Sequence, residues 1–319
     1  MLTAKIGSLE LKNPIMSASG TFGFGGEGSV FADVARLGAL VSKTVTVAPR
    51  PGNPPPRIVE TPSGMLNSIG LENRGADHFI AETLPKMRAL GTEIIINIGG
   101  EEVAEFEELA RRFAAAGVDG LEVNLSCPNV QGGRLYFSTV PALTQEVVER
   151  VKQACGRDLP VWAKLSPNVA DITEIALAAE RGGADGITAI NTLIGMSVDW
   201  RRRTPVLART IGGLSGPAIK PVALRQVFEI ARVVKIPVIG VGGIASAEDV
   251  LEFLVAGAAA VQIGTHNFVH PGGMVSILDE LERLLTETGT TVTDLIGSLG
   301  RSEPSTDSRR RDCEEVTRP

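Results

Sequence analysis

Short runs of β-branched and other apolar residues alternate with amphipathic runs from one end of the chain to the other, in eight successive pairs. The spacing predicts strands over 14–17, 39–46, 93–98, 120–126, 160–165, 186–191, 237–242 and 260–265. Between them apolar positions recur at helical spacing, for example over 101–116, 141–155, 171–181, 221–234, 247–256 and 273–288. Strands that read as continuous apolar runs are buried on both faces, as in parallel sheets. Strict βα alternation points the same way, and eight units match a (β/α)₈ TIM barrel of the α/β class. A doubly wound open sheet is the rival arrangement.

Three stretches depart from the alternation. The opening LTAKIGSLELKN (2–13) reads as a small N-terminal β-hairpin, placed to plug the bottom of the barrel. Two connections, 47–74 and 192–220, are far longer than the few residues usual between barrel elements. Both follow strands, so both are expected as long loops on the C-terminal face, where barrel enzymes keep their active sites. Beyond residue 299 the chain turns charged and nearly devoid of apolar residues, which predicts a disordered tail over 300–319 behind a barrel domain over 1–299.

Composition then narrows the class. Of 319 residues 43% are hydrophobic, ample for a buried core, but only 10 Phe, 2 Trp and 1 Tyr are present. With a net charge of −6, this argues against a nucleic-acid partner, which would want a basic surface and stacking platforms. Cys127, Cys155 and Cys313 are odd in number and far apart, unlike a disulfide framework or a Cys-x-x-Cys metal site. A reducing cytoplasm fits best. The start lacks a signal-peptide apolar core, and the apolar stretch 253–263 is too short to span a bilayer, so no membrane association is expected.

Candidate chemistry lies at the strand ends. Gly23–Gly28 spells G-x-G-x-x-G, but no acidic residue follows at the second strand to bind a ribose, so a turn over the site is the better reading. Ser19, Lys43, Asn97, Asn124, Lys164 and Asn191 recur where strands finish. A single amide there would do as a helix cap, but lysines make poor caps and are costly at a buried mouth without an anionic partner. Together they point to a flat, anionic, carbonyl-rich ligand. Gly242-Gly243 and Gly264-Thr265 end strands seven and eight, where barrel enzymes commonly cradle a phosphate. Cys127 follows strand four into a loop with Pro128, Gly132 and Gly133. A free thiol, with a pKa of about 8.5, can act as a general base over an acidic C–H. A nucleophilic role would want a partner His, and no triad spacing links His78, His266 or His270 to it.

These residues sit in longer motifs: VNLSCPNV (123–130), GMLNSIGLEN (64–73), AKLSPNV (163–169), INTLIGM (190–196), GGLSGPAIKP (212–221) and GVGGI (240–244). Over about residues 2–299 the chain resembles the dihydroorotate dehydrogenase family, class 1, and most of all its NAD-linked type B catalytic subunits. The resemblance implies an FMN-bearing barrel that oxidises (S)-dihydroorotate to orotate in pyrimidine synthesis, hydride leaving C6 for the flavin. It implies Cys127 as the base at C5 and Lys164 as the cation that steadies charge on the flavin. Substrate contacts would fall on Lys43, Asn67, Ser68, Ile69, Gly70 and Leu71, and on Asn124, Asn129, Asn191 and Thr192. FMN would contact Ser19, Lys43, Thr44, Asn97, Asn124, Lys164, Ile190 and Gly216, with its phosphate on Gly242, Gly243, Gly264 and Thr265.

The quinone-using types carry a hydrophobic N-terminal extension and a Ser base, neither of which is found here. The SIGLEN and SCPNV wording is nearer the NAD-linked type than the fumarate-using one. That type works with a partner subunit holding FAD and a [2Fe–2S] cluster, as a heterotetramer around a homodimer of catalytic chains. Three cysteines cannot supply four cluster ligands, so the cluster would come from the partner. Among rivals, a tRNA dihydrouridine synthase would want basic RNA-binding patches. A Schiff-base lyase using Lys164 leaves Cys127 and the Asn67 segment unexplained, and nothing specific in the sequence supports a non-catalytic binding barrel.

Overall fold

The structure, a computed structural model, describes residues 1–125 and 136–300. Eight strands close into a barrel: Ile15–Ser17, Ala39–Val41, Glu93–Ile98, Gly120–Asn124, Val161–Lys164, Gly186–Ala189, Val238–Val241 and Ala258–Ile263. Every pairing is parallel and follows chain order, and the eighth strand closes on the first. Nearly all their residues are buried, as continuous apolar runs require between a filled interior and a helical shell. The (β/α)₈ expectation holds.

The helices begin where local chemistry satisfies their free N–H groups. Asp171 caps Ile172–Arg181, and reciprocal boxes start Val103–Ala116 (Glu102 with Glu105) and Ala247–Ala256 (Ser246 with Asp249). Ala4–Ile6 and Leu9–Leu11 form the expected hairpin. Ile6 and Leu11 are fully buried and pack with Met16, Val41, Ile95, Trp162 and Ile239, so the hairpin does plug one end of the barrel.

Three expectations need correction. The second strand stops at Val41 rather than 46, although Val45 still bridges Ile98. Beyond Val41 the chain keeps only single backbone bonds to the third strand, Ser42 N to Ile95 O and Val45 N to Asn97 O, and Lys43 and Thr44 line the mouth. The first unit has no α-helix, only the 3₁₀ turns Gly28–Val30 and Val34–Arg36, because the glycines over 20–28 pay too much backbone entropy to hold one. The third correction is the largest. The long segments 47–74 and 192–220 carry strands of their own; each folds back on itself, and they pair with one another. Leu193–Met196, Ile211–Ser215, Gly64–Asn67 and Ile58–Thr61 form one antiparallel sheet in that order. The seam between the segments pairs Asn67 with Gly213 and Met65 with Ser215.

Candidate active site

The barrel mouth and the added sheet enclose a cavity of about 420 Å³, within the range of small-molecule sites. Most strand-end residues singled out from the sequence line it. Ser19, Lys43, Thr44, Asn97, Asn124, Lys164, Ile190, Asn191 and Thr192 come from the barrel. Asn67, Ile69, Gly70, Leu71 and Gly216 come from the sheet and its flanks, while Gly242, Gly243, Gly264 and Thr265 line the edge formed by strands seven and eight. Ser68 does not line it. Its side chain is buried and its Oγ accepts from Asn53 Nδ2 at 3.1 Å, behind the strand. Cys127 and Asn129 lie outside the described residues. The Gly23–Gly28 motif is a turn beside the mouth rather than a lining element: Glu27 accepts from Phe24 N, and Gly23 O accepts from Lys43 N.

The segment over the cavity is pinned by Asn73, a buried side chain whose Oδ1 accepts from Gly75 N (2.8 Å) and Thr46 N (3.3 Å). Its Nδ2 donates to Leu71 O (2.7 Å) and Thr46 Oγ1 (2.9 Å). Just before it, Gly70 and Leu71 both take left-handed backbone angles (φ +80° and +55°), bending the chain into the cavity wall. A left-handed leucine is a strained choice, and strain of this kind gathers at binding sites.

Side chains join across the floor in a continuous hydrogen-bonded row. Asn191 Nδ2 donates to Asn124 Oδ1 (3.3 Å), Asn124 Nδ2 to Thr44 Oγ1 (3.3 Å), and Thr44 Oγ1 to Asn97 Oδ1 (2.5 Å). Beneath it Lys164 Nζ donates to Glu122 Oε1 and to Gln262 Oε1, both at 3.2 Å. Glu122 and Gln262 were not singled out from the sequence. The available signal was a charged or amide residue inside an otherwise apolar strand, GLEVN and AAAVQI, which must find a partner when buried. His266 and His270, whose rings stand 5.2 Å apart, also line the cavity and escaped sequence reasoning. Burial, helped by His270, holds His266 below the usual histidine range.

Lys43 is half-buried at the cavity wall. Desolvation pushes its ammonium below the ordinary lysine value; Glu72, 3.8 Å away, only partly offsets this. Glu72 is already held by Arg57 Nη1 at 2.7 Å, so Lys43 keeps charge available to a ligand.

The glycine edge fits a phosphate-bearing cofactor. A Cβ built on Gly264 would meet only Ala18 Cβ at 3.4 Å and Thr21 beyond, and one on Gly20 would meet nothing within 4 Å. The room there belongs to the cavity. The backbone N–H groups of Gly243, Gly264 and Thr265 have no backbone acceptor among the described residues. Free donors lining a cavity without side chains in the way are what a phosphate needs. Gly216 and Gly243 are required by the chain itself: both have positive φ, and a Cβ on Gly243 would come within 2.9 Å of Gly216 O.

The family model described as dihydroorotate dehydrogenase matches residues 1–285. The chain belongs to the dihydroorotate dehydrogenase family. It is thus an oxidoreductase of the dihydroorotate dehydrogenase kind. Similar curated relatives are dihydroorotate dehydrogenase B (NAD(+)) catalytic subunits. That of Trichlorobacter lovleyi is 52% identical over 300 residues, covering 93% of this chain and 98% of the relative. That of Solidesulfovibrio magneticus is 53% identical over 288 residues, covering 90% and 94%. Among the described residues, no helix of this dihydroorotate dehydrogenase family member is long and apolar enough to cross a membrane.

Proposed function

We propose that this chain oxidises (S)-dihydroorotate to orotate in pyrimidine synthesis, working as the catalytic subunit of an NAD-linked enzyme. The observation that carries the reading is the convergence of Lys43, Lys164, Asn67, Asn124 and Asn191 on one cavity beside an open glycine edge. Gly242, Gly243, Gly264 and Thr265 would hold the phosphate of FMN, which when bound would supply the hydride acceptor for C6. Ser19, Thr44, Asn97, Ile190 and Gly216 border the room its ring system would take. The substrate is a carboxylate on a ring of imide carbonyls and N–H groups. Carboxamides, which both donate and accept, suit such a ring, and Asn67, Asn124, Asn129 and Asn191 are assigned to it. Lys43 meets the substrate's negative charge, and Thr192 with Ile69–Leu71 closes the wall. Lys164, in the cavity lining, is the cation that would steady the negative charge of a reduced flavin ring. Cys127 takes the proton from C5.

The relatives' names support NAD as acceptor, and a catalytic subunit implies a second one. That partner would bring FAD and the [2Fe–2S] cluster, because the three cysteines of this chain are too few for four cluster ligands. A homodimer of these chains in a cytoplasmic heterotetramer completes the reading. The test uses purified protein. A yellow chain whose flavin bleaches on anaerobic addition of dihydroorotate, yet which alone reduces NAD slowly, is the expected outcome. No bleaching by dihydroorotate would overturn the substrate. Fast fumarate reduction by the chain alone would overturn the NAD-linked assignment.

Lys43 gives a separate expectation. Its folded-state value is lowered, so the unfolded chain holds that proton more tightly. Stability therefore rises with pH as the window up to the ordinary 10.5 is crossed, and below that window the buried charge costs stability. Lys43→Met should melt higher than wild type at pH 7 while binding dihydroorotate far more weakly. Lower melting, or unchanged affinity, would contradict this role.

A further inference from the structure

Glu122 is fully buried, and the reaction proposed above gives it no task. It lies two residues before Asn124 on the fourth barrel strand, hence on the same face and one layer beneath the cavity floor. Its carboxylate accepts from three side chains. Oε1 takes Asn97 Nδ2 at 2.6 Å and Lys164 Nζ at 3.2 Å, and Oε2 takes Gln262 Nε2 at 2.5 Å. A buried pair of this kind is weak evidence for stability, since well-packed apolar residues often serve as well. Its consequence lies above it. With the Asn97 amide nitrogen committed to Glu122, Asn97 Oδ1 is turned to accept from Thr44 Oγ1. With the Gln262 amide nitrogen also committed, Gln262 Oε1 is turned to accept from Lys164 Nζ.

We propose that Glu122 is a positioning residue for the flavin site: from below the floor it holds the Lys164 ammonium in place and sets the hydrogen-bonding sense of Asn97 and Thr44. This rests on the flavin reading given above. A neutral side chain of the same shape cannot take over. The Glu122→Gln side chain has one acceptor oxygen and one donor nitrogen. If the oxygen keeps Lys164 and Asn97, the nitrogen faces the Gln262 amide nitrogen, donor against donor. Turning the Gln262 amide relieves that clash but points its nitrogen at Lys164 Nζ. Either way the ammonium loses the negative charge of Glu122, and the contact between residues 122 and 262 or that between Gln262 and Lys164 breaks. An ammonium that loses this charge in a dry floor is costly, so the variant draws it away from the floor.

Reduced flavin carries more negative charge than oxidised flavin, so a held cation raises its reduction potential. The experiment measures that potential by equilibrium titration on flavin-bound protein: wild type, Glu122→Gln, Lys164→Met, and the double variant. Glu122→Gln should lower the potential by at least half as much as Lys164→Met does, and should add little in the Lys164→Met background. Gln262→Leu removes one acceptor of Lys164 while leaving both charges, and should give a smaller lowering that also vanishes in that background. It keeps the inference testable if Glu122→Gln does not fold. A potential unchanged or raised in these variants overturns the inference. An equal lowering in both backgrounds does so too, because Glu122 would then act without Lys164. Wild-type protein that takes up no flavin at all would instead overturn the reading beneath it, and the inference with it.

Discussion

Cys127→Ala is expected to take up flavin as wild type does and to lose its reduction by dihydroorotate by about 10²–10⁴-fold, the usual worth of a positioned general base. The C5 proton of dihydroorotate lies next to a carbonyl, acidic enough for a thiolate to remove but not for unassisted water at a useful rate. The fourth barrel strand brings Asn124 to the cavity wall, and Cys127 follows three residues later. Flavin uptake should survive because Gly243, Gly264 and Thr265, whose N–H groups have no backbone acceptor among the described residues, stand on the strand seven and eight edge, remote in sequence from the thiol. Cys127→Ser, with a far weaker base, should fall in between. The measurement is anaerobic rapid mixing with dihydroorotate, following loss of flavin absorbance. Bleaching of Cys127→Ala at the wild-type rate would remove Cys127 from the mechanism.

Gly264→Val should do the reverse: fold, and fail to hold flavin. The φ of Gly264 is not in the left-handed region, and its added Cβ would meet nothing closer than 3.4 Å, so the chain has room for a side chain. That room is the cavity itself. A branched side chain there stands between the N–H groups and the phosphate, and loss of even one charge-assisted hydrogen bond, about 1.5–3 kcal/mol, weakens binding by roughly tenfold or more. Gly264→Ala should weaken it less. Flavin content after gel filtration and flavin titration into stripped protein read the effect, with thermal melting as the control on folding. Wild-type flavin affinity in a folded Gly264→Val would show that the phosphate does not rest on this edge.

The two glycine positions illustrate how far a sequence can be read. Both Gly243 and Gly264 stood out because they end strands seven and eight of an eightfold pattern, yet only their surroundings separate their roles. Gly243 is pressed against Gly216 O and Lys220, so its glycine serves the chain. Gly264 faces open cavity, so its glycine leaves room there that the chain itself does not need. The strand-end amides and lysines were legible for the same reason as the barrel: a repeat of strand and helix delivers every strand end to one face, wherever the residues fall in sequence. Ser68 shows the limit. It belongs to the same motif as Asn67, but alternation along the strand turns neighbouring side chains to opposite faces, and Asn53 holds it behind the cavity.

By itself the sequence determined the parallel barrel, the plugging hairpin and the strand ends that meet at one mouth. Each of these follows from local periodicity, and burial of continuous apolar strands leaves the chain few other ways to satisfy it. The tertiary structure alone decided the rest. The segments 47–74 and 192–220 became one sheet because Gly64–Asn67 finds its partner at Ile211–Ser215, nearly 150 residues away, and no local pattern encodes such a pairing. Glu122, Gln262 and Lys164 became one hydrogen-bonded cluster for a related reason. Closing the barrel brings strands four, five and eight around the same interior, and in that dry space each polar group must be answered by another.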